Sequence, residues 1–313
     1  MSNNILFRAD SSSLIGTGHI MRDLVLAQKY AKKGHHITFA TQDLQGNINH
    51  KILEAGYKIE ILKTSDIAEM NALITKFKIN RIVIDDYDID YNYEKKLKLT
   101  NPTVKILSFD DTYEKHYCDI LLNHNISGAK KKYKGLVPKH CKLKCGSKYT
   151  LLRNEFIIEK KKLKNKIKKK NNKFKTIFLG MGGADHSNIN IKILKVLKRF
   201  KNTSNIKVNL VTTNANKNLK ELEEYCKNKK WINLHINANK IAKLMGKSDL
   251  AIVTPSVTVN EVHYIEIPFI AIKTADNQMD MYTYLKKKKY LVLENFDKSK
   301  LEKNIKKMIR KLI

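Results

Sequence analysis

The sequence predicts an α/β protein of two doubly wound domains, each built on a parallel sheet. Three observations carry that expectation. Short apolar runs alternate with helical patterns along the whole chain, as β-α-β units require. The rhythm restarts in the second half, after a dense run of lysines. Finally, 313 residues with 42% hydrophobic content are enough for two ordinary cores.

In chain order, the first half offers the strand segments ILFRA, HITFA, KIEIL, RIVIDD and KILSF. The second offers KTIFLGMGG, KVNLVTT, INLHIN, DLAIVT and PFIAIK. Between them lies EKKKLKNKIKKKNNK, residues 159–173, and a like-charge block of this density reads as a solvated connector. The expected division is therefore 1–158, a linker at 159–173, and 174–313. The C-terminal KLEKNIKKMIRKLI places Leu301, Ile305, Met308 and Leu312 on one helical face. Such a stripe either packs back onto the protein or lies on an anionic membrane surface, and packing is the expected outcome.

The net charge of +31 invites a nucleic-acid reading. However, Lys, Asn and Ile are abundant throughout, and no aromatic residues interleave the basic stretches as base stacking would require. The charge is read as a solvated surface that attracts acidic ligands. No charged-then-apolar leader opens the chain, and no apolar run approaches the ~20 residues that span a bilayer, so a cytoplasmic location is expected. Cys141 and Cys145 have the spacing of half a zinc site, but no second pair lies at a matching distance. With Cys118 and Cys226 they are read as thiols in a reducing compartment.

In open parallel sheets, ligands bind beyond the carboxyl ends of the strands, so chemistry is sought in the loops that follow them. The first strand runs into SSSLIGTGH, where Gly16 and Gly18 let a ligand approach the backbone and a helix start favours an anion. The spacing matches neither the dinucleotide fingerprint nor a P-loop. His19, at the start of that helix, either caps it or serves as a general base. The helix dipole favours the neutral ring that a base requires. The fourth strand ends in Asp85, Asp86 and Tyr87, and the fifth in Asp110 and Asp111. Adjacent residues on a strand point to opposite faces, so the paired carboxylates are not expected to act together. Whether they are structural or functional stays open.

In the second half, FLGMGGADHSN repeats the strand–glycine loop–helix pattern with Gly182, Gly183 and Asp185. AIVTPSVTVNEV carries Thr254, Ser256 and Thr258 to a helix start, where hydroxyls either cap the helix or hold a diphosphate. Glu261 follows one turn later, in reach of a ribose diol. Asn277 and Gln278, in IKTADNQMD, offer the amide groups that sugar hydroxyls and acetamido groups need.

The segments RADSSSLIGTGHIMRDLVLA, VIDDYDID, SFDDTYEKHYCDILLNHN, GSKYTLLRNEF, GMGGADHSN and NEV…PFIAIKTADNQ together resemble the PseG-type nucleotide-sugar hydrolases of pseudaminic acid biosynthesis. Those enzymes release UDP from UDP-2,4-diacetamido-2,4,6-trideoxy-β-L-altropyranose, and MurG-type glycosyltransferases are their wider relatives. The resemblance implies a GT-B fold of two facing Rossmann-like domains. It also implies hydrolysis with inversion at the anomeric carbon, needing no cofactor and no metal. His19 falls on the family's catalytic histidine, Tyr87 on an active-site tyrosine and Asn277 on an asparagine near the substrate. Ser256, Thr258 and Glu261 fall on the UDP-binding turn and ribose contact. Gly16, Gly18, Arg22, Gly183 and Gln278 complete the expected substrate-binding set. Thr-Pro-Ser-Val-Thr stands here in place of the commoner Gly-Gly-Ser-Thr turn, which puts the details of diphosphate contact in question.

UDP is a good leaving group, so one base for water can suffice where ordinary glycosidases need two carboxyl groups. The expected partner is a UDP-sugar, bound by a monomeric chain without nucleic acid or stable membrane insertion. The alternatives are a GT-B glycosyltransferase that passes the sugar to an acceptor and, more remotely, a basic nucleic-acid-binding protein.

Overall fold

The computed structural model describes residues 3–166, 176–185 and 188–312. The chain forms two compact units, Met1–Leu151 and Leu152–Ile313. The first contains seven strands: β1 Asn4–Ala9, β2 His36–Gln42, β3 Lys58–Leu62, β4 Arg81–Asp85, β5 Lys105–Phe109, β6 Ile120–Asn123 and β7 Lys142–Cys145. Its helices are α1 Gly18–Ala31, α2 Asn49–Glu54, α3 Ile67–Lys76 and α4 Tyr91–Thr100. The strands pair in parallel in the order β3-β2-β1-β4-β5-β6-β7. Alternation along each strand divides the apolar residues between two faces. Ile5, Phe7, Val83 and Leu107 pack against Ile20, Val25 and Leu26 of α1 and Ile52 of α2. Leu6, Ile82, Ile84 and Ile106 pack against Met70, Leu73 and Ile74 of α3 and Leu97 of α4.

The second unit opens with α5 Asn154–Lys166 and contains β8 Thr176–Gly180, β9 Lys207–Thr212, β10 Ile232–Ile236, β11 Leu250–Val253, β12 Phe269–Ile272 and β13 Leu291–Leu293. Between and after them lie α6 Ile189–Ser204, α7 Leu219–Cys226, α8 Ile241–Gly246, α9 Val257–Ile265, α10 Met279–Lys287 and α11 Lys298–Leu312. The sheet is again parallel, in the order β10-β9-β8-β11-β12-β13. Ile177, Leu179, Leu210 and Ile252 form its core with residues of α6 and α11.

Both sheets reverse direction of winding beside their first strand, between β1 and β4 and between β8 and β11. Such switch points open a crevice at the carboxyl ends of the strands. The glycine loops and the segments after β4 and β11 lie at these two points.

Three strands exceed the sequence expectation: β6, β7 and β13. β6 and β13 are short, and β7 (KLKC) carries lysines on a half-buried edge. Their pairing partners define them more than their own pattern does. The unit boundary also lies earlier than 158. Residues 159–166 continue α5, whose buried Phe156 and Glu159 face its own unit. Glu155 accepts a hydrogen bond from the Ala242 N–H of α8 at 3.2 Å, and Lys160 Nζ donates to the Tyr264 carbonyl at 2.6 Å. These contacts draw the lysine-rich helix into the second unit, while residues 167–173 of the expected linker lie outside the described residues.

Leu301 and Ile305 of α11 are fully buried and Met308 packs against the same core, so the apolar stripe is spent inside the protein. The Leu312 side chain lies outside the described residues. Among the described residues, no helix is long and apolar enough to cross a membrane.

Candidate active site

The first glycine loop is held by its serines. Ser12 Oγ accepts from the backbone N–H groups of Leu14 (3.1 Å) and Ile15 (2.9 Å), and Ser12 and Gly16 form a two-residue bridge. Ser11 Oγ accepts from Ile48 N–H at 3.0 Å. Gly16 takes a φ of +85°, open to glycine at little cost, and this turn delivers the chain into α1.

His19, in the first turn of α1, does not cap the helix. It is buried, and its Nδ1 lies 2.9 Å from the backbone carbonyl of Asp85 at the end of β4. It is also 3.2 Å from Asp85 Oδ1. A carbonyl can only accept, so Nδ1 carries a proton, and in the neutral form of the ring Nε2 keeps a lone pair. The Tyr87 ring meets the His19 ring edge to face, with centroids 4.8 Å apart.

Asp85 also accepts two hydrogen bonds from Arg22, one turn along α1: Nε to Oδ2 at 2.6 Å and Nη2 to Oδ1 at 2.5 Å. Burial pushes the Asp85 carboxyl up, but Arg22 and His19 outweigh it and hold it below its ordinary range. Burial likewise opposes the Arg22 charge, and Asp85 and Asp111 more than offset it, so Arg22 stays cationic. Arg22 Nη1 is 3.2 Å from Asp111 Oδ2, and the Tyr87 hydroxyl donates to Asp111 Oδ1 at 2.8 Å.

The acidic pairs left open by the sequence thus separate by partner. Asp86 pairs with the fully buried Arg8 of β1 at 2.8 Å. Asp110 accepts from the N–H groups of Thr112 (3.0 Å) and Tyr113 (2.9 Å) and shapes the turn. Asp85 and Asp111 face His19 and Tyr87.

Two buried groups in this region have no hydrogen-bond partner among the described residues. Both oxygens of Asp23 are unpaired, and burial, then the Asp85 charge, push its carboxyl well above its usual range and keep it neutral. His124, after β6, has both ring nitrogens unpaired, and burial, reinforced by Arg22, pulls it down to about 3. It too is neutral.

In the second unit, a Cβ on Gly183 would lie 2.8 Å from Thr213 Oγ1, so that close approach requires glycine. The Gly183 carbonyl accepts from the hydroxyls of Thr212 (3.1 Å) and Thr213 (3.0 Å). Asp185 accepts from the N–H groups of Ile189 (2.9 Å) and Asn190 (3.2 Å) and closes the start of α6. Ser256 precedes α9 without capping it, and its Oγ is 2.9 Å from Thr254 Oγ1. Ser256 and Thr258 are half-buried beside the helix N-terminus, where N–H groups and helix dipole favour an anion.

Glu261 is buried in α9, and Arg153 donates to its Oε1 from Nε (3.0 Å) and Nη2 (2.8 Å). Burial pushes the carboxyl up and Arg153 opposes this. Asn277 is exposed on the one-turn helix Asp276–Gln278. Gln278 Oε1 accepts from Thr274 N–H at 2.9 Å and so folds back on its own loop.

The structure therefore brings His19, Arg22 and Tyr87 together in the first unit, and Ser256, Thr258 and Glu261 along α9 in the second. Sequence reasoning passed over Asp23, His124 and Arg153. The signal for Arg153 was its place in the motif segment GSKYTLLRNEF. Asp23 and His124 likewise lie in the motif segments RADSSSLIGTGHIMRDLVLA and SFDDTYEKHYCDILLNHN, but nothing local marked them as buried without partners. Among the described residues, no group of three or more His, Cys, Asp or Glu side chains is arranged to hold a metal ion.

No protein-family model matches the chain. It is 40% identical to a UDP-2,4-diacetamido-2,4,6-trideoxy-beta-L-altropyranose hydrolase of Campylobacter jejuni over 288 residues, which is 92% of this chain and 98% of that one. In fold, it superposes on MurG of Acinetobacter baumannii with a TM-score of 0.66 at 10% identity, covering 99% of this chain and 92% of that one. A glycosyltransferase of Rickettsia africae gives a TM-score of 0.62 at 12% identity, covering 99% and 89%. The two parallel Rossmann-like sheets are thus those of the GT-B fold. With this extent of identity along nearly the full length of both chains, the protein belongs to the UDP-2,4-diacetamido-2,4,6-trideoxy-beta-L-altropyranose hydrolase family.

Proposed function

We propose that the protein hydrolyses a UDP-linked 2,4-diacetamido-2,4,6-trideoxy sugar to UDP and free sugar, with inversion at the anomeric carbon and without a metal. The observation that carries the mechanism is the 2.9 Å contact from His19 Nδ1 to the Asp85 carbonyl. By fixing the tautomer, it leaves Nε2 as the base that takes a proton from water. The water oxygen bonds to the anomeric carbon as the carbon–oxygen bond to the diphosphate breaks, and that electron pair leaves with UDP.

UDP is held by the second unit. The α9 N-terminus with Ser256 and Thr258 takes the diphosphate, and the oxygen of Glu261 that Arg153 does not occupy takes the ribose. Gly183 keeps the β8 loop close to Thr213, Gly16 and Gly18 leave the first loop open above α1, and Asn277 meets the sugar. Gln278 supports Asn277 through Thr274, and Arg22 serves the site through Asp85 and Asp111.

The test is incubation with the UDP-sugar and no acceptor, followed by NMR. Release of UDP and free sugar in the inverted configuration supports hydrolysis, whereas turnover that waits for a hydroxyl acceptor identifies a transferase. His19→Asn should lower the rate by ~10²–10⁴. UDP affinity should be unchanged, and near-normal hydrolysis by this variant would remove His19 from the role.

A further inference from the structure

Tyr87 is 50% exposed, yet its hydroxyl proton is committed. It donates to Asp111 Oδ1 at 2.8 Å, and a carboxylate oxygen can only accept. On the other oxygen, Asp111 Oδ2 accepts from Arg22 Nη1 at 3.2 Å and from Asn125 Nδ2 at 3.3 Å. Burial, and then Asp111, push the Tyr87 phenol far above its ordinary range, so it keeps its proton. What Tyr87 presents outward is therefore its oxygen lone pair. The same holds for His19, whose Nδ1 proton goes to the Asp85 carbonyl and whose ring meets Tyr87 edge to face.

We propose that Asp111 is a positioning residue that acts through Tyr87. By taking the phenol proton, it makes the Tyr87 oxygen an acceptor. Together with His19 Nε2, that oxygen receives the two protons of the attacking water. This inference rests on the hydrolase reading above. A water whose two O–H bonds both point at acceptors has its lone pairs left for the anomeric carbon. A phenol free to turn would donate to the water and occupy the lone pair needed for attack. The proton balance is simple: one water proton passes to Nε2, the other stays on the new sugar hydroxyl, and Tyr87 keeps its own proton throughout.

Asp111→Asn reverses this polarity without changing shape. Arg22 and Asn125 are both donors to Oδ2, so they hold the amide oxygen on their side. The new NH₂ then faces Tyr87 and donates to it. The experiment is steady-state hydrolysis of the UDP-sugar by wild type, Asp111→Asn, Tyr87→Phe and the double variant. Each single change should lower kcat by about 10–100-fold, as misplacing a reacting group costs up to about 10²-fold, with KM little changed. The double variant should be no slower than Tyr87→Phe alone, because both changes break one device. Wild-type kcat in Asp111→Asn, or losses that multiply in the double variant, would overturn the assignment.

A second measurement leaves Asp111 and the fold intact. With 3-fluorotyrosine at position 87, the phenol is a better donor and a poorer acceptor, so kcat should fall. An unchanged or higher kcat would refute the acceptor role. A wild-type chain that releases no UDP would instead remove the hydrolase reading itself, and this inference with it.

Discussion

Replacing Asp85 with Asn separates its two duties. The side chain binds Arg22 through both carboxylate oxygens, and the backbone carbonyl orients His19. The substitution removes one charge from a pair whose side chains are 2% and 4% exposed. Breaking a buried pair costs about 3–5 kcal/mol, because the remaining charge is left without compensation. Here Asp111 stays 3.2 Å from Arg22, and the isosteric amide keeps one acceptor. Asp23 also loses the repulsion of the Asp85 charge and moves toward ionising beside Arg22. The expected cost therefore falls to about 2–3 kcal/mol, below the range for an uncompensated pair. At about 2–4 °C per kcal/mol for a unit of this size, the melting transition of Met1–Leu151 should drop by about 4–12 °C.

Activity should suffer less than in His19→Asn, because the carbonyl still accepts from Nδ1. A loss of about tenfold in kcat is expected, below the ~10²-fold of a fully misplaced group. The assays are differential scanning calorimetry and steady-state UDP release on the same preparations. An unchanged melting transition would refute the buried-pair argument. A rate loss equal to that of His19→Asn would show that the carboxylate, and not the carbonyl, sets the histidine.

Glu261→Ala should weaken UDP binding by ~1–3 kcal/mol if a charged hydrogen bond to the ribose is lost, and titration calorimetry with UDP alone would show it. Full activity should persist in excess EDTA, because Asp85 is bound by Arg22, Asp86 by Arg8 and Asp185 by helix N–H groups; a loss that magnesium or manganese restores would contradict this. Three buried groups should give stability its own pH dependence. Burial pulls the His116 imidazole down, but Asp110 and Glu94 push it up to about 10, so its contribution is full below pH 6.5 and lost as pH rises toward 10. His124, at about 3, contributes above pH 6.5 and loses that contribution as pH falls toward 3. For Asp110, burial is outweighed by His116, Tyr133 and Thr112, which hold it at about 2, so its contribution is lost from about pH 4 downward. Urea titrations across pH would check the loss above pH 6.5, and a flat profile between pH 6.5 and 9 would rule out the His116 part.

The sequence by itself determined the two-domain α/β plan and the glycine loops, and it singled out His19 and the α9 turn as candidates for chemistry. These signals are local: a buried parallel strand is a continuous apolar run, and a loop that approaches a ligand shows its glycines. What only the tertiary structure decided depends on distant residues. Arg22 meets Asp85 across 63 positions and Asp111 across 89, and Arg153 meets Glu261 across 108. No periodicity encodes such pairs, so the sequence left Asp85, Asp86, Asp110 and Asp111 equivalent where burial and partners distinguish them. The same reason hid β7 and β13, since an edge strand of three or four residues exists only beside the strand it pairs with. It also set the unit boundary at Leu151, where packing of Phe156 and Glu159 outweighed the charge density of the helix that carries them.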